Sequence, residues 1–238
     1  MLMKESAKIP AILQVKNLHK HFFIQRGMFK KVRGKVLAVD GISFEVKAAQ
    51  TLGIVGKSGS GKTTLAKLIL GLITPTSGQI LYNPEIIKDF RKDAQAIFQN
   101  PYQSLDPKMR IWDILIEPLI IHRQTNKKNL RPRVLESIQS VGLEEDILTR
   151  LPIEFSGGQR QRICLARSLM LEPKFLILDE PISSLDLTRQ VEILDLLKQL
   201  KEKYSFTYVF ITHNRKLLKE IADSVLVIEK GRIVSIQA

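Results

Sequence analysis

Two short stretches of this chain carry residues of the type and spacing that phosphate chemistry needs. Gly56-Lys57-Ser58-Gly59-Ser60-Gly61-Lys62-Thr63 fits the pattern G-x-x-x-x-G-K-[ST]. Glycines in such a loop let successive backbone N–H groups turn inward around an oxyanion, and a following helix adds its positive end to that field. Lys62 supplies a full charge at the β- and γ-phosphates of a nucleotide, Thr63 offers a hydroxyl to Mg2+, and Thr64 belongs to the same cradle. Further along, Phe175-Leu-Ile-Leu-Asp179-Glu180 places two carboxylates directly after an unbroken apolar run. Asp179 is then aimed where the Mg2+ of such a loop would sit. Glu180, one residue on, points differently and can polarise a water for in-line attack on the γ-phosphate.

Groups like these need rigid elements behind them. Leu52-Gly-Ile-Val55 reads as a short buried strand feeding the glycine turn, followed by a helix through Leu70 with Leu65, Leu68 and Ile69 at helical spacing. Phe175 to Leu178 reads as a strand buried on both faces, and in open α/β sheets ligands bind at the carboxyl ends of the strands. Leu13-Gln-Val15 and Phe44-Glu-Val46 alternate as half-buried antiparallel strands do, with a basic, glycine-containing loop expected between them from Ile24 to Val36. Gln79 to Tyr82 is a further short strand. From Asn100 to about Pro152 the pattern is helical, with Val134, Leu135, Ile138 and Val141 following Pro132 near a helix start, and Gly142 ending that helix. Ser156 opens a helix to Leu171 as its N-cap. A helix from about Thr188 to Lys203, a strand Tyr208 to Ile211, and strands Val225 to Ile228 and Arg232 to Val234 around Lys230-Gly231 complete the series. The fold class expected is α/β with a mainly parallel central sheet, an N-terminal antiparallel part and an inserted helical part. One domain spans 1–238, with 1–98 and 163–238 as its core and 99–162 as the helical subdomain.

Composition narrows the setting. The 238 residues, 44% hydrophobic and 26% charged, suffice for a packed core. A single cysteine, Cys164, excludes an internal disulfide and fits a reducing compartment as a buried apolar side chain. Met1 to Leu13 has no secretory h-region. The most apolar long stretch, Ile111 to Ile121, is broken by Asp113, Glu117 and Pro118 and is too short to span a bilayer. The 37 basic residues against 24 acidic ones leave +13, which favours nucleotides, nucleic acid or an anionic membrane face. Part of that charge stands at Lys30, Lys31, Arg33 and Lys35.

Phe155-Ser156-Gly157-Gly158-Gln159-Arg-Gln-Arg162, lying between the glycine loop and the acid pair, is similar to the signature motif of ABC ATPases. The resemblance covers almost the whole chain. It implies a second phosphate cradle at Ser156, Gly158 and Gln159 serving the ATP held by an opposite subunit. It also implies roles for Gln99 as the glutamine that reaches Mg2+ and water, for Asp186 in Ser184-Leu-Asp186 as the loop crossing between subunits, and for His213 as the switch histidine at the γ-phosphate. Phe22 matches the aromatic that stacks on adenine, with Phe23 adjacent and one of the two expected to face the core. His19, His21 and His122 are read as surface residues without a ligand cluster.

Within that family the chain most resembles the second ATPase subunit of dipeptide, oligopeptide and nickel importers, on Phe98-Gln-Asn-Pro-Tyr-Gln-Ser-Leu-Asp-Pro107, Pro152-Ile-Glu-Phe-Ser156 and the basic loop before Ala38-Val-Asp-Gly-Ile-Ser-Phe44. It departs at Lys57, where that group usually has Glu, and at Ile153, which replaces a common His. It also ends at Ala238 without the C-terminal extension many of these subunits carry. The resemblance implies an ATPase using ATP and Mg2+, peripheral on the cytoplasmic face of the cell membrane. Its partners would be a second ATPase subunit (a paralogue or a copy), two transmembrane permease subunits and an extracytoplasmic substrate-binding protein. The alternatives are a peptide-export or resistance cassette, and a soluble ABC ATPase acting on nucleic acid or ribosomes. Long coiled coils, zinc-binding cysteines or a second cassette would mark the latter.

Overall fold

A computed structural model of the chain describes residues 9–26, 31–98, 104–125 and 127–237. Two sheets and a layer of helices make up the fold. The smaller sheet is antiparallel, in the order β2-β1-β4, from β1 (Ala11–Arg26), β2 (Lys31–Lys47) and β4 (Ser77–Tyr82). The larger has six strands in the order β5-β6-β7-β3-β8-β9, from β3 (Thr51–Val55), β5 (Ala94–Ile97), β6 (Phe175–Asp179), β7 (Thr207–Thr212), β8 (Ser224–Glu229) and β9 (Arg232–Gln237). All its pairings are parallel except β8 with β9. That last hairpin turns through Lys230 and Gly231, both at positive φ, the backbone a tight hairpin turn demands.

The apolar runs of the sequence have their cause in this layering. Strands β6 and β7 divide their side chains by parity. Leu176, Leu178, Tyr208 and Phe210 enter one core with the helices, while Phe175, Ile177, Val209 and Ile211 enter the other, under the smaller sheet. A strand covered on both faces has no polar side to show, hence the continuous run. At roughly 1.5–3 kcal/mol per fully buried large apolar side chain, these eight residues anchor both layers. Helix α1 (Lys62–Ile69) buries Leu65, Leu68 and Ile69 in the second core, as their spacing predicts.

The helical layer comprises α3 (Ile111–Ile121), α4 (Lys127–Ser140) and α5 (Gly157–Leu169), preceded in sequence by the single turn α2 (Phe90–Asp93) and followed by α6 (Leu187–Tyr204) and α7 (Arg215–Ile221). Ile111, Ile114, Leu115, Leu119, Val134, Ile138 and Ile163 are all buried in the core shared with β6 and β7. Ile111 to Ile121 is therefore a core helix.

Three expectations are corrected. The loop foreseen from Ile24 to Val36 is largely strand, with Gln25 paired to Val32 and Arg26 to Lys31. Basic residues suit an edge strand as well as they suit a loop, and β2 is the edge. Helix α4 starts at Lys127, so Pro132 lies within it. Strand β5 and helix α7 went unrecognised: one is four residues long and the other carries little periodic pattern.

Candidate functional site

The glycine loop joins β3 to α1 and lies where the expected cradle must be. Gly61, N-cap of α1, has φ +106, and a Cβ there would stand 2.0 Å from the Ala38 carbonyl oxygen, so only glycine fits. Lys62 is buried, and its ammonium donates to the carbonyls of Gly56 at 2.8 Å and Lys57 at 3.1 Å. That leash holds the charge across the loop's mouth. Thr63 is exposed at the first turn of α1.

Around the loop lies a cleft of about 1190 Å³ lined by Gly56, Lys57, Ser58, Gly59, Gly61, Lys62, Thr63, Thr64, Glu180 and His213, with Phe22, Val36, Leu37 and Ala38 as its apolar wall. Ser60 is placed behind the loop. It is buried, and its hydroxyl has no hydrogen-bond partner among the described residues. Both phenylalanines are surface residues, Phe22 at 44% exposure and Phe23 at 65%, so neither faces the core. Phe22 lines the cleft; Phe23 does not.

Asp179 ends β6 and is buried. Burial raises its carboxyl pKa above the ordinary value; the Thr63 hydroxyl, donating to it, pulls the other way, and the neighbouring Glu180 charge adds to the rise. Oxygen Oδ1 of Asp179 has no hydrogen-bond partner among the described residues. A buried, under-satisfied carboxylate beside a threonine hydroxyl is a hard-oxygen donor set, and a small divalent cation fits it.

Glu180 has φ +54, a conformation costly for a residue with a side chain. Its neighbours over-determine it. Its N–H donates to the Ile211 carbonyl at 2.9 Å, and its carbonyl accepts from the N–H and hydroxyl of Ser183 at 3.3 and 3.1 Å. The turn swings the Glu180 side chain away from that of Asp179 and towards His213, whose Nδ1 lies 2.9 and 3.0 Å from the two carboxylate oxygens. His213, following β7, is 63% exposed on its side chain, while Glu180 is buried. The arrangement gives a carboxylate held by a histidine at the cleft wall.

Ser156, Gly158 and Gln159 lie elsewhere, lining a smaller cleft with Arg162, Arg189 and Glu192. Ser156 caps α5 in a reciprocal box: its hydroxyl accepts from the Gln159 N–H at 3.4 Å, and Gln159 Oε1 accepts from the Ser156 N–H at 3.0 Å. Asp186 caps α6 by accepting from the Arg189 N–H at 3.0 Å. Gln99 lies outside the described residues.

Residues 39–183 match the family described as ABC transporter. The chain belongs to that family. It is one of the ATP-binding, ATP-hydrolysing subunits of ABC transporters, and its relatives and structural neighbours agree. The di/tripeptide transport ATP-binding protein DppF of Pseudomonas aeruginosa is 42% identical over 93% of this chain and 71% of its own length. The oligopeptide transport ATP-binding protein AppF of Bacillus subtilis is 39% identical over 97% of this chain and 73% of its own. Among solved structures, cbiO1 of Clostridium perfringens, part of the ABC transporter complex cbiONQ, superposes with TM-score 0.79 at 26% identity, covering 95% of this chain and 88% of that one. The dimeric ATP-binding cassette MJ0796 in a post-hydrolysis state with ADP and phosphate also reaches TM-score 0.79, at 26% identity over 94% and 97%.

Two features of this ABC ATPase escaped the sequence. His19, His21 and Asp40 gather on β1 and β2 with ligand atoms within 4.8 Å of one another. His19 Nδ1 stands 3.2 Å from Asp40, but Arg232 donates to the other carboxylate oxygen at 2.7 Å and depresses the Asp40 pKa. His19 is thus a half-buried neighbour of the Asp40–Arg232 pair, and the His21 ring meets that of His19 edge-on at 6.0 Å, so neither is an isolated surface residue. The second is Arg189, whose guanidinium reaches Ser156 from 33 positions away. Spacing along one helix could not reveal it.

Proposed function

We propose that this chain is the ATP-hydrolysing subunit of a peptide importer, and that each ATP it uses is completed by a second ATPase subunit. One observation carries the reading. The glycine loop and Glu180 line one cleft, whereas the capped serine–glycine helix tip lines another. A single chain thus presents two phosphate-facing half-sites, and two chains placed head to tail would pair each loop with the other's helix tip. The dimeric state of MJ0796 speaks for the same pairing.

In this reading the backbone of Gly56 to Gly61, Lys62, Thr63 and Thr64 holds the phosphates, and Phe22 stacks on the base. Thr63 and Asp179 hold Mg2+, with Gln99 as the third contact; the ion supplies charge neutralisation to the β- and γ-phosphates. Glu180 takes the proton of the attacking water. His213 orients that carboxylate and faces the γ-phosphate. Asp186 lies in the crossing loop between subunits. The unit 99–162 is the part that would meet two permease subunits on the cytoplasmic face of the membrane, with an extracytoplasmic binding protein delivering substrate. No helix among the described residues is long and apolar enough to cross a membrane, which favours peripheral attachment. Dipeptides or oligopeptides are the substrate class, on the names of the relatives at about 40% identity.

The test uses the complex extracted in mild detergent. Ser156→Trp in this chain leaves its own loop intact, so it should still photolabel with an azido-ATP while turnover of the assembled complex falls at least tenfold. Undiminished turnover would remove the shared site. Labelled dipeptide accumulating in vesicles containing the complex would establish the cargo; failure across a peptide panel would refute the peptide assignment.

A further inference from the structure

Two arginines, Arg162 and Arg189, stand at the helix tip around Ser156, each beside an acid. Arg189 is the third residue of α6, and its Nη1 donates to the Ser156 hydroxyl at 2.8 Å while its Nε pairs with Asp186 at 3.2 Å. A cation is unfavourable at a helix N-terminus, and this one stands at two: its own helix, α6, and the tip of α5. Arg162 lines the same cleft. Asp186 is already engaged by Arg189, and Glu192 lies 3.6 Å from Arg162. Gly158 lies directly beside the Arg189 side chain, where a Cβ would stand in ordinary contact with Cδ at 3.4 Å and Nη1 at 3.5 Å.

Hydrogen-bond capacity points the same way. A serine hydroxyl accepts two bonds and donates one. Ser156 accepts from the Gln159 N–H and from Arg189, so both acceptor positions are taken and its own proton remains to be given. A ligand that satisfies Ser156 is therefore a hydrogen-bond acceptor. A guanidinium offers the planar two-pronged donor that phosphate oxygens match.

We infer that Arg189 is an ATP-binding residue acting across the subunit boundary, its guanidinium closing on the γ-phosphate of the nucleotide held by the opposite subunit's glycine loop. The inference rests on the shared-site reading above. In the free subunit the bond to Ser156 parks the side chain at the helix tip, 44% exposed. On pairing, the γ-phosphate takes the Ser156 proton as a hydrogen bond and gains the guanidinium beside it. ADP lacks the group that Arg189 grips, so the residue separates triphosphate from diphosphate.

Arg189→Ala is a fair probe because the N-cap bond of α6 uses the Arg189 backbone N–H, which the variant keeps. In the assembled complex, the ATP concentration for half-maximal turnover should rise at least tenfold. Arg189→Lys should recover only part of this, and ADP competition should stay within twofold of wild type. An unchanged ATP requirement would overturn the inference. A lowered one would also overturn it, by making the guanidinium a plug on Ser156. Ser156→Trp run in parallel separates the two levels: if it abolishes turnover while Arg189→Ala does nothing, only Arg189 loses its role, whereas if neither matters the shared site itself falls.

Discussion

Replacing Glu180 by glutamine isolates the chemistry of the cleft from its architecture. Both carboxylate oxygens face His213 Nδ1, at 2.9 and 3.0 Å, and the backbone of Glu180 is held by Ile211 and Ser183. An amide of the same length keeps the backbone bonds and one oxygen acceptor for His213. What goes is the negative charge. The stability cost is the difference between a charged and a neutral hydrogen bond, about 1 kcal/mol or less, further reduced because the histidine side chain is 63% exposed to screening solvent. For a chain of this size that is a fall of roughly 2–4 °C in Tm at most. Removing a positioned general base costs about 100- to 10,000-fold in rate, ~2.7–5.5 kcal/mol of barrier. Phosphate release by the assembled complex, with ATP affinity measured alongside, tests both halves. Turnover should fall at least a hundredfold with affinity within about twofold. Residual activity within tenfold of wild type would strip Glu180 of its role; lost ATP binding would show that the charge serves the cradle instead.

Gly61→Ala would drive a Cβ against the Ala38 carbonyl from a backbone at φ +106; it should cost about 2 kcal/mol or more, a drop of roughly 4–8 °C in Tm, with ATP binding lost in parallel. Asp179→Asn tests the raised carboxyl pKa. An acid whose folded pKa exceeds its unfolded one binds more protons folded than unfolded, so stability falls as pH rises from the ordinary aspartate range through the raised value. The variant should therefore melt above wild type at neutral pH, lose that advantage below about pH 4, and lose ATPase activity throughout; equal melting at every pH would refute the burial argument. Phe22→Ala should weaken ATP binding about 5- to 100-fold, the value of one aromatic–base stack, whereas Phe23→Ala should leave it within twofold.

What could be read beforehand was whatever chemistry compresses into a contiguous string. The glycine loop, the acid pair and the Ser156 cap each need their residues at fixed neighbouring positions, because one turn or one helix end makes the site. The buried strands were equally plain, since cover on both faces demands an unbroken apolar run. Distance along the chain concealed the rest. Arg189 reaches Ser156, and Asp40 draws in His19, only once separate elements pack or pair. Phe22 and Phe23 are chemically alike, and strand register decides which one sees the cleft. Strand β5 is four residues at the sheet edge, where neither length nor punctuation advertises it.

Strand β6 ends in Asp179 and feeds alternate side chains into two separate interiors. Loosening either interior tilts the same five residues, and with them the carboxylates of Asp179 and of Glu180 beyond it. Repacking far from any nucleotide would thus register as altered turnover, which makes this strand a mechanical shaft between the body of the subunit and its chemistry.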